Sequence, residues 1–134
     1  MLASALDGLR LSLHVLAATI WVGGQFTLAG LVPSLRLVGD QATLIAAKTF
    51  SKFSWPAYYV LVITGLWNVS VVHMSSTTTG WKIVLGIKIF VVGLSGLSAY
   101  LHTKAKSKKK VAFWGAVSGT SAAAAVVLGV FLDG

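Results

Sequence analysis

The chain has 134 residues, 56% of them hydrophobic and only 10% charged, with a mean hydropathy of +0.84. Soluble domains carry roughly a quarter charged residues, so this composition describes an integral membrane protein. The lack of cysteine excludes disulfides, iron–sulfur clusters and thiolate metal sites, and the net charge of +8 reads as a topology signal rather than a nucleic-acid surface, because the lysines gather in loops.

Four apolar runs follow one another, at residues 11–32, 55–73, 81–101 and 111–132. Each is close to the roughly 20 residues that a helix needs to cross a hydrocarbon core of about 30 Å. None alternates in the manner of a barrel strand, so the expected fold is an all-α, four-helix membrane bundle forming one domain over residues 1–134. The first run is longer than the apolar part of a signal peptide, and Gly23-Gly24-Gln25 is followed by further apolar sequence rather than a cleavage site.

Within that first run, His14, Ala18, Trp21 and Gln25 fall on one stripe at about 100° per residue. The stripe is more polar than the rest of the run and is expected to face the bundle, with Gly23 and Gly24 allowing close approach by a helix or a flat ligand. Arg36, Lys48 and Lys52 lie between the first two runs. There Asp40 suits an N-cap, and Leu44, Ile45, Lys48 and Lys52 suit a short helix lying at the membrane interface. Ser54-Trp55-Pro56 is expected to open the second spanning helix, with Trp55, Tyr58 and Tyr59 as interfacial anchors. This helix carries Thr64, Gly65 and Asn68 on its polar side.

The connector Ser75-Ser-Thr-Thr-Thr-Gly80 is short and uncharged, which predicts antiparallel neighbours on either side of it. In the third run Lys88, Ser95, Ala99 and His102 make a second polar stripe. Five lysines then crowd the loop 103–110. Positive-inside reasoning places this loop and the one holding Arg36, Lys48 and Lys52 in the cytoplasm, with both termini outside. The fourth run contains Gly115-Ala-Val-Ser-Gly119, a spacing of small residues that packs helices closely, either within one chain or across a homodimer.

An ionisable group inside a span costs several kcal/mol and marks a functional site by default. His14 and Lys88 are the two such groups here, and at 1.5 Å rise per residue they lie at similar depth in the outer half of the membrane. His73 and Met74 stand at the outer end of the second run, whereas His102 lies about 20 Å from Lys88 on the other side. Copper(I) prefers Cys and Met with imidazole acceptable, which leaves His14, His73 and Met74 as the available metal ligands. Haem requires one axial histidine and room between helices, which directs attention to His14, with Lys88, Trp21 and Gln25 beside the cofactor.

The stretch His14-Val-Leu-Ala-Ala-Thr-Ile-Trp-Val-Gly-Gly24, ending in Leu31-Val-Pro-Ser-Leu-Arg36, resembles the first helix of the copper-resistance CopD-like membrane domain. The resemblance continues through Phe50-Ser-Lys-Phe-Ser54, Thr64-Gly65 and Gly80-Trp-Lys-Ile-Val-Leu-Gly-Ile-Lys-Ile-Phe90, so it covers three of the four runs. More distantly the chain is similar to HemJ-type protoporphyrinogen oxidases, in which a first-helix histidine and a third-span lysine are the working pair; His14 and Lys88 match them. It departs from those proteins after Trp21, where Val-Gly-Gly and then Val-Pro-Ser-Leu-Arg replace the pattern expected at the helix end.

The resemblance implies a bacterial or archaeal inner-membrane protein that binds or passes copper at a His14/Lys88 site. The haem-binding alternative implies electron transfer or tetrapyrrole oxidation, with a redox partner. A third reading is a structural subunit of a larger membrane complex, in which His14 and Lys88 serve packing alone.

Overall fold

The computed structural model describes residues 2–133, and among them every regular element is helical. We name four helices: α1 (Ala5–Val38), α2 (Asp40–Ser70), α3 (Thr79–Lys104) and α4 (Lys108–Asp133). A single 3₁₀ turn, Met74–Ser76, lies in the connector. By length and composition α1, α3 and α4 can each cross a membrane. The chain divides into two compact units, Met1–Val72 with α1 and α2, and His73–Gly134 with α3 and α4.

The distribution of side chains in both units suits hydrocarbon rather than water. Deeply buried positions are mostly small or hydroxylated: Ala17, Ser54, Ala57, Thr64, Ser95, Ser98, Ser118, Ser121 and Ala122. Large apolar residues point outward instead, among them Leu6, Leu16, Ile20, Ile63, Phe90, Val127 and Phe131. Lipid removes the hydrophobic drive for helices to associate, so contact relies on close backbone approach through small residues and on interhelical hydrogen bonds.

Unit one is an antiparallel hairpin whose register is fixed by polar and aromatic pairs. Arg10 meets Asn68, His14 meets Thr64, and Trp21 meets Tyr58, each step down α1 matching a step back up α2. Farther on, the Phe50 ring fills the notch at Gly24, a position with no space for a Cβ. A π-helical turn, Thr19–Gly23, interrupts α1. Such a turn takes in extra backbone and shifts the phase of the helix. Of the expected stripe only Trp21 is deeply buried; Ala18 is half-buried, and its neighbour Ala17 is the residue buried there instead.

Two details of the α1–α2 corner differ from the sequence reading. The segment expected as a separate interfacial helix is the opening of α2, which runs without a break through Pro56. Proline inside a helix removes one backbone hydrogen bond, a loss that membrane helices tolerate when neighbouring groups compensate. Gly39, and not Asp40, is the N-cap, with φ +147° and ψ 160°. That region of backbone space is nearly glycine-only. No atom lies near a Cβ built at Gly39, so its constraint is purely conformational. Gly39→Ala is therefore expected to cost about 1–3 kcal/mol, read as a lower unfolding midpoint in detergent.

Unit two is a second antiparallel hairpin, joined by residues 105–107 alone. Its polar contacts recur every seven residues along α3, at Trp81, Lys88, Ser95 and His102. The Trp81 indole N–H donates to the Leu132 carbonyl at 3.2 Å. Ser95 and Ser118 each donate a hydroxyl to the other's carbonyl at 3.0 Å. A seven-residue repeat keeps one seam facing the partner helix.

Candidate functional site

The residues singled out by sequence distribute over both units. In unit one, α1 carries His14 half-buried against α2, where its Nδ1 lies 2.8 Å from Thr64 Oγ1. Thr64 is buried and has one hydroxyl proton, which it donates to the Val60 carbonyl at 2.6 Å. The Thr64 oxygen consequently accepts from His14, so His14 carries its proton on Nδ1 and its ring lone pair on Nε2. A methyl group at Gly65 would sit 3.4 Å from His14 Cε1, so the ring lies directly against the α2 backbone.

One turn above His14 lies a polar cluster that the sequence reading did not assemble. Arg10 is buried, with its guanidinium donating to the Asn68 side-chain oxygen and, at 2.9 Å, to Asp7. Ser4 caps α1 by accepting from the Asp7 N–H, and its hydroxyl donates to the Asp7 carboxylate at 2.6 Å. The Asp7–Arg10 spacing of three residues is a local signal for an i,i+3 ion pair, which the sequence reading missed. Its closure through Asn68, on a helix 58 positions away, was not.

One turn beyond Ala17, Trp21 is buried in an aromatic group, 4.5 Å from the Tyr58 ring and 5.5 Å from that of Trp55. Its ring is spent on packing within the hairpin. Gln25 follows on the same face with its side-chain nitrogen buried. Polar groups therefore occupy the terminal part of the α1–α2 contact, and aromatic packing closes it off beyond.

In unit two, Lys88 crosses to α4. A methyl group at Gly129 would lie 2.9 Å from its Nζ and 3.6 Å from its Cε, so glycine there makes room for the lysine side chain. His102 packs in the same manner on Gly115 and donates from Nδ1 to the Val111 carbonyl at 2.7 Å. Gly115 is thus occupied inside the hairpin, while a Cβ at Gly119 would meet nothing within 4 Å. His73 and Met74 stand exposed where the 3₁₀ turn begins. Among the described residues, no group of three or more His, Cys, Asp or Glu side chains gathers as a metal-holding cluster.

Imidazole ligands of metals commonly donate their second ring N–H to a neighbouring oxygen, which fixes tautomer and ring orientation. His14 has this arrangement with Thr64 on a half-buried helix face. A porphyrin brings four nitrogens of its own and asks the protein for one or two axial ligands, whereas a bare copper ion takes all its donors from protein. No family model, curated protein or solved structure matches the chain.

Proposed function

We propose that this chain is a multi-pass cell-membrane protein of the CopD-like type that binds haem b through His14 and serves electron transfer. The observation supporting the reading is the Thr64–His14 hydrogen bond, which holds the proton on Nδ1 and the coordinating lone pair on Nε2. In this proposal His14 would hold the haem iron, Thr64 would orient the imidazole, and the ring would pack on α2 at Gly65. Haem would supply a one-electron redox centre. The protein contributes ring orientation and a low-dielectric surround.

The two basic corners, at Arg36, Lys48 and Lys52 and at the loop 103–110, support placing both on the cytoplasmic side, with four spans and both termini outside. The opening turns of α2 would then lie near the interface.

One absorption spectrum of the full chain, purified after expression with ample haem, tests the function. A Soret band is expected, lost in His14→Ala. Thr64→Val should keep the fold and weaken haem retention about 10–100-fold, the usual cost of losing such an orienting partner. A colourless protein sinks the proposal. Stoichiometric copper that disappears with His14→Ala would replace it by the copper reading, and absence of both with co-purifying subunits would leave a structural subunit.

A further inference from the structure

The corner of unit two concentrates charge in a way that helix packing does not use. Lys104 ends α3, Lys106 lies in the connection, and Lys108, Lys109 and Lys110 open α4. All five are exposed, and only residues 105–107 separate the two helices. The ammonium groups are therefore carried on helix ends rather than on a loose tail. His102 ties this corner shut through the Val111 carbonyl.

No carboxylate of the unit offsets the patch. Its only acidic residue, Asp133, stands at the opposite end of the 26-residue α4, a helix length of about 39 Å. The first turn of α4 contains no acidic residue, so its three lysines repel one another. Five like charges this close repel one another, and such blocks are commonly interaction sites for anions.

What adjoins the patch identifies the anion's carrier. Both helices that end here are apolar and long enough to span a membrane, so the corner between them lies at a boundary of the hydrocarbon. Immediately below the lysines, exposed aromatics face outward. Phe113 meets the half-buried Trp114 edge-to-face with ring centroids 5.0 Å apart, and the centroid of the Tyr100 ring lies 5.6 Å from Lys104 Nζ. Aromatic rings at this depth anchor helices among headgroups, and Lys104 over Tyr100 leans back toward the apolar side. Charged lysines above and rings below match a ligand with an anionic head and acyl tails.

We propose that the Lys104–Lys110 corner is a binding site for anionic phospholipid, whose headgroup phosphate the lysines hold while its chains run along Tyr100 and Phe113. This assignment is independent of the haem reading. Lysines clustered beside a spanning helix attract anionic lipids at about 1 kcal/mol each, a factor of roughly five per lysine.

The test uses the full chain reconstituted in phosphatidylcholine bilayers with trace spin-labelled phosphatidylglycerol or spin-labelled phosphatidylcholine. The motionally restricted fraction should favour phosphatidylglycerol by roughly fivefold or more. The preference should fall as salt screens the patch. Replacing the five lysines by glutamine should bring the ratio close to unity, while replacing them by arginine should keep it. Equal association of the two lipids, or a preference as strong in the glutamine variant, would overturn the proposal. Should the glutamine variant fail to fold by circular dichroism, the salt series on the unaltered chain decides, and a salt-insensitive preference counts against the site. Inorganic phosphate should displace the lipid no better than chloride at equal ionic strength. Far stronger displacement would mean that the patch takes free phosphate instead of lipid.

Discussion

Ser118→Leu is expected to destabilise the second hairpin by about 3 kcal/mol, the upper end of the usual range for overpacking a tight core. Ser118 is 2% exposed and faces Ser95, at 1% exposure, across the α3–α4 contact. Ser98 and Ala122 close the same seam, at 0% and 2% exposure. A leucine there adds three carbons against the opposite backbone, so the helices are expected to separate and the paired serine–carbonyl bonds to open together. Ser118→Ala distinguishes space from hydrogen bonding. It removes one donor and leaves the packing intact, and interhelical hydrogen bonds within membranes average only about 0.6 kcal/mol. Unfolding of the full chain in mixed micelles, followed by far-ultraviolet circular dichroism, measures both. Equal losses for Leu and Ala would mean that the seam is held by hydrogen bonds, contrary to the packing account.

Asn68→Leu should cost about 2–3 kcal/mol in unit one, although asparagine itself has poor helix propensity. The reason is the buried Arg10 guanidinium, which loses its acceptor on α2 and keeps only Asp7 on its own helix. Leaving a charged donor without its partner costs more than the hydrogen bond is worth when both groups are present. Arg10→Leu combined with Asn68→Leu should recover most of the loss, because two apolar groups satisfy each other where a lone charge cannot. Asn68→Asp should be tolerated, since it offers the same oxygen with a charge. The comparison is a double-mutant cycle in the same unfolding assay, and strict additivity of the two leucine substitutions would sink the account. This cluster lies one turn from His14, so the single Asn68→Leu change should also loosen the Thr64–His14 geometry and lower haem retention.

The contrast between the two hairpins explains what sequence could and could not reveal. His14 was conspicuous because an ionisable group is expensive in an apolar run, and Thr64, Gly65 and Asn68 were visible as the polar side of α2. Arg10 was harder to interpret. Near the end of a span a basic residue looks like an interfacial anchor, and nothing local indicates that it turns inward to an acceptor 58 positions away. Trp21 was read as a lining residue from its place on the stripe, yet its ring is absorbed by Tyr58 and Trp55. The π turn at Thr19–Gly23 left only Gly23 and Gly24 as a sequence trace, and these also allow close packing in an ordinary helix.

Sequence alone determined that the chain is helical and marked four apolar runs, of which three lie in helices long and apolar enough to cross a membrane. Long uncharged apolar runs must satisfy their backbone internally in lipid, and helices do so locally. It also determined where the lysines gather, because charge excluded from hydrocarbon collects at the ends of spans. Tertiary structure decided which faces meet: Thr64 fixing the His14 tautomer, Gly129 receiving Lys88, and Ser95 exchanging hydrogen bonds with Ser118. A helix that is apolar on every side carries little periodic signal for its partner face. That face is selected by a few small residues and single hydrogen bonds, whose energies depend on a neighbour that the local sequence does not specify.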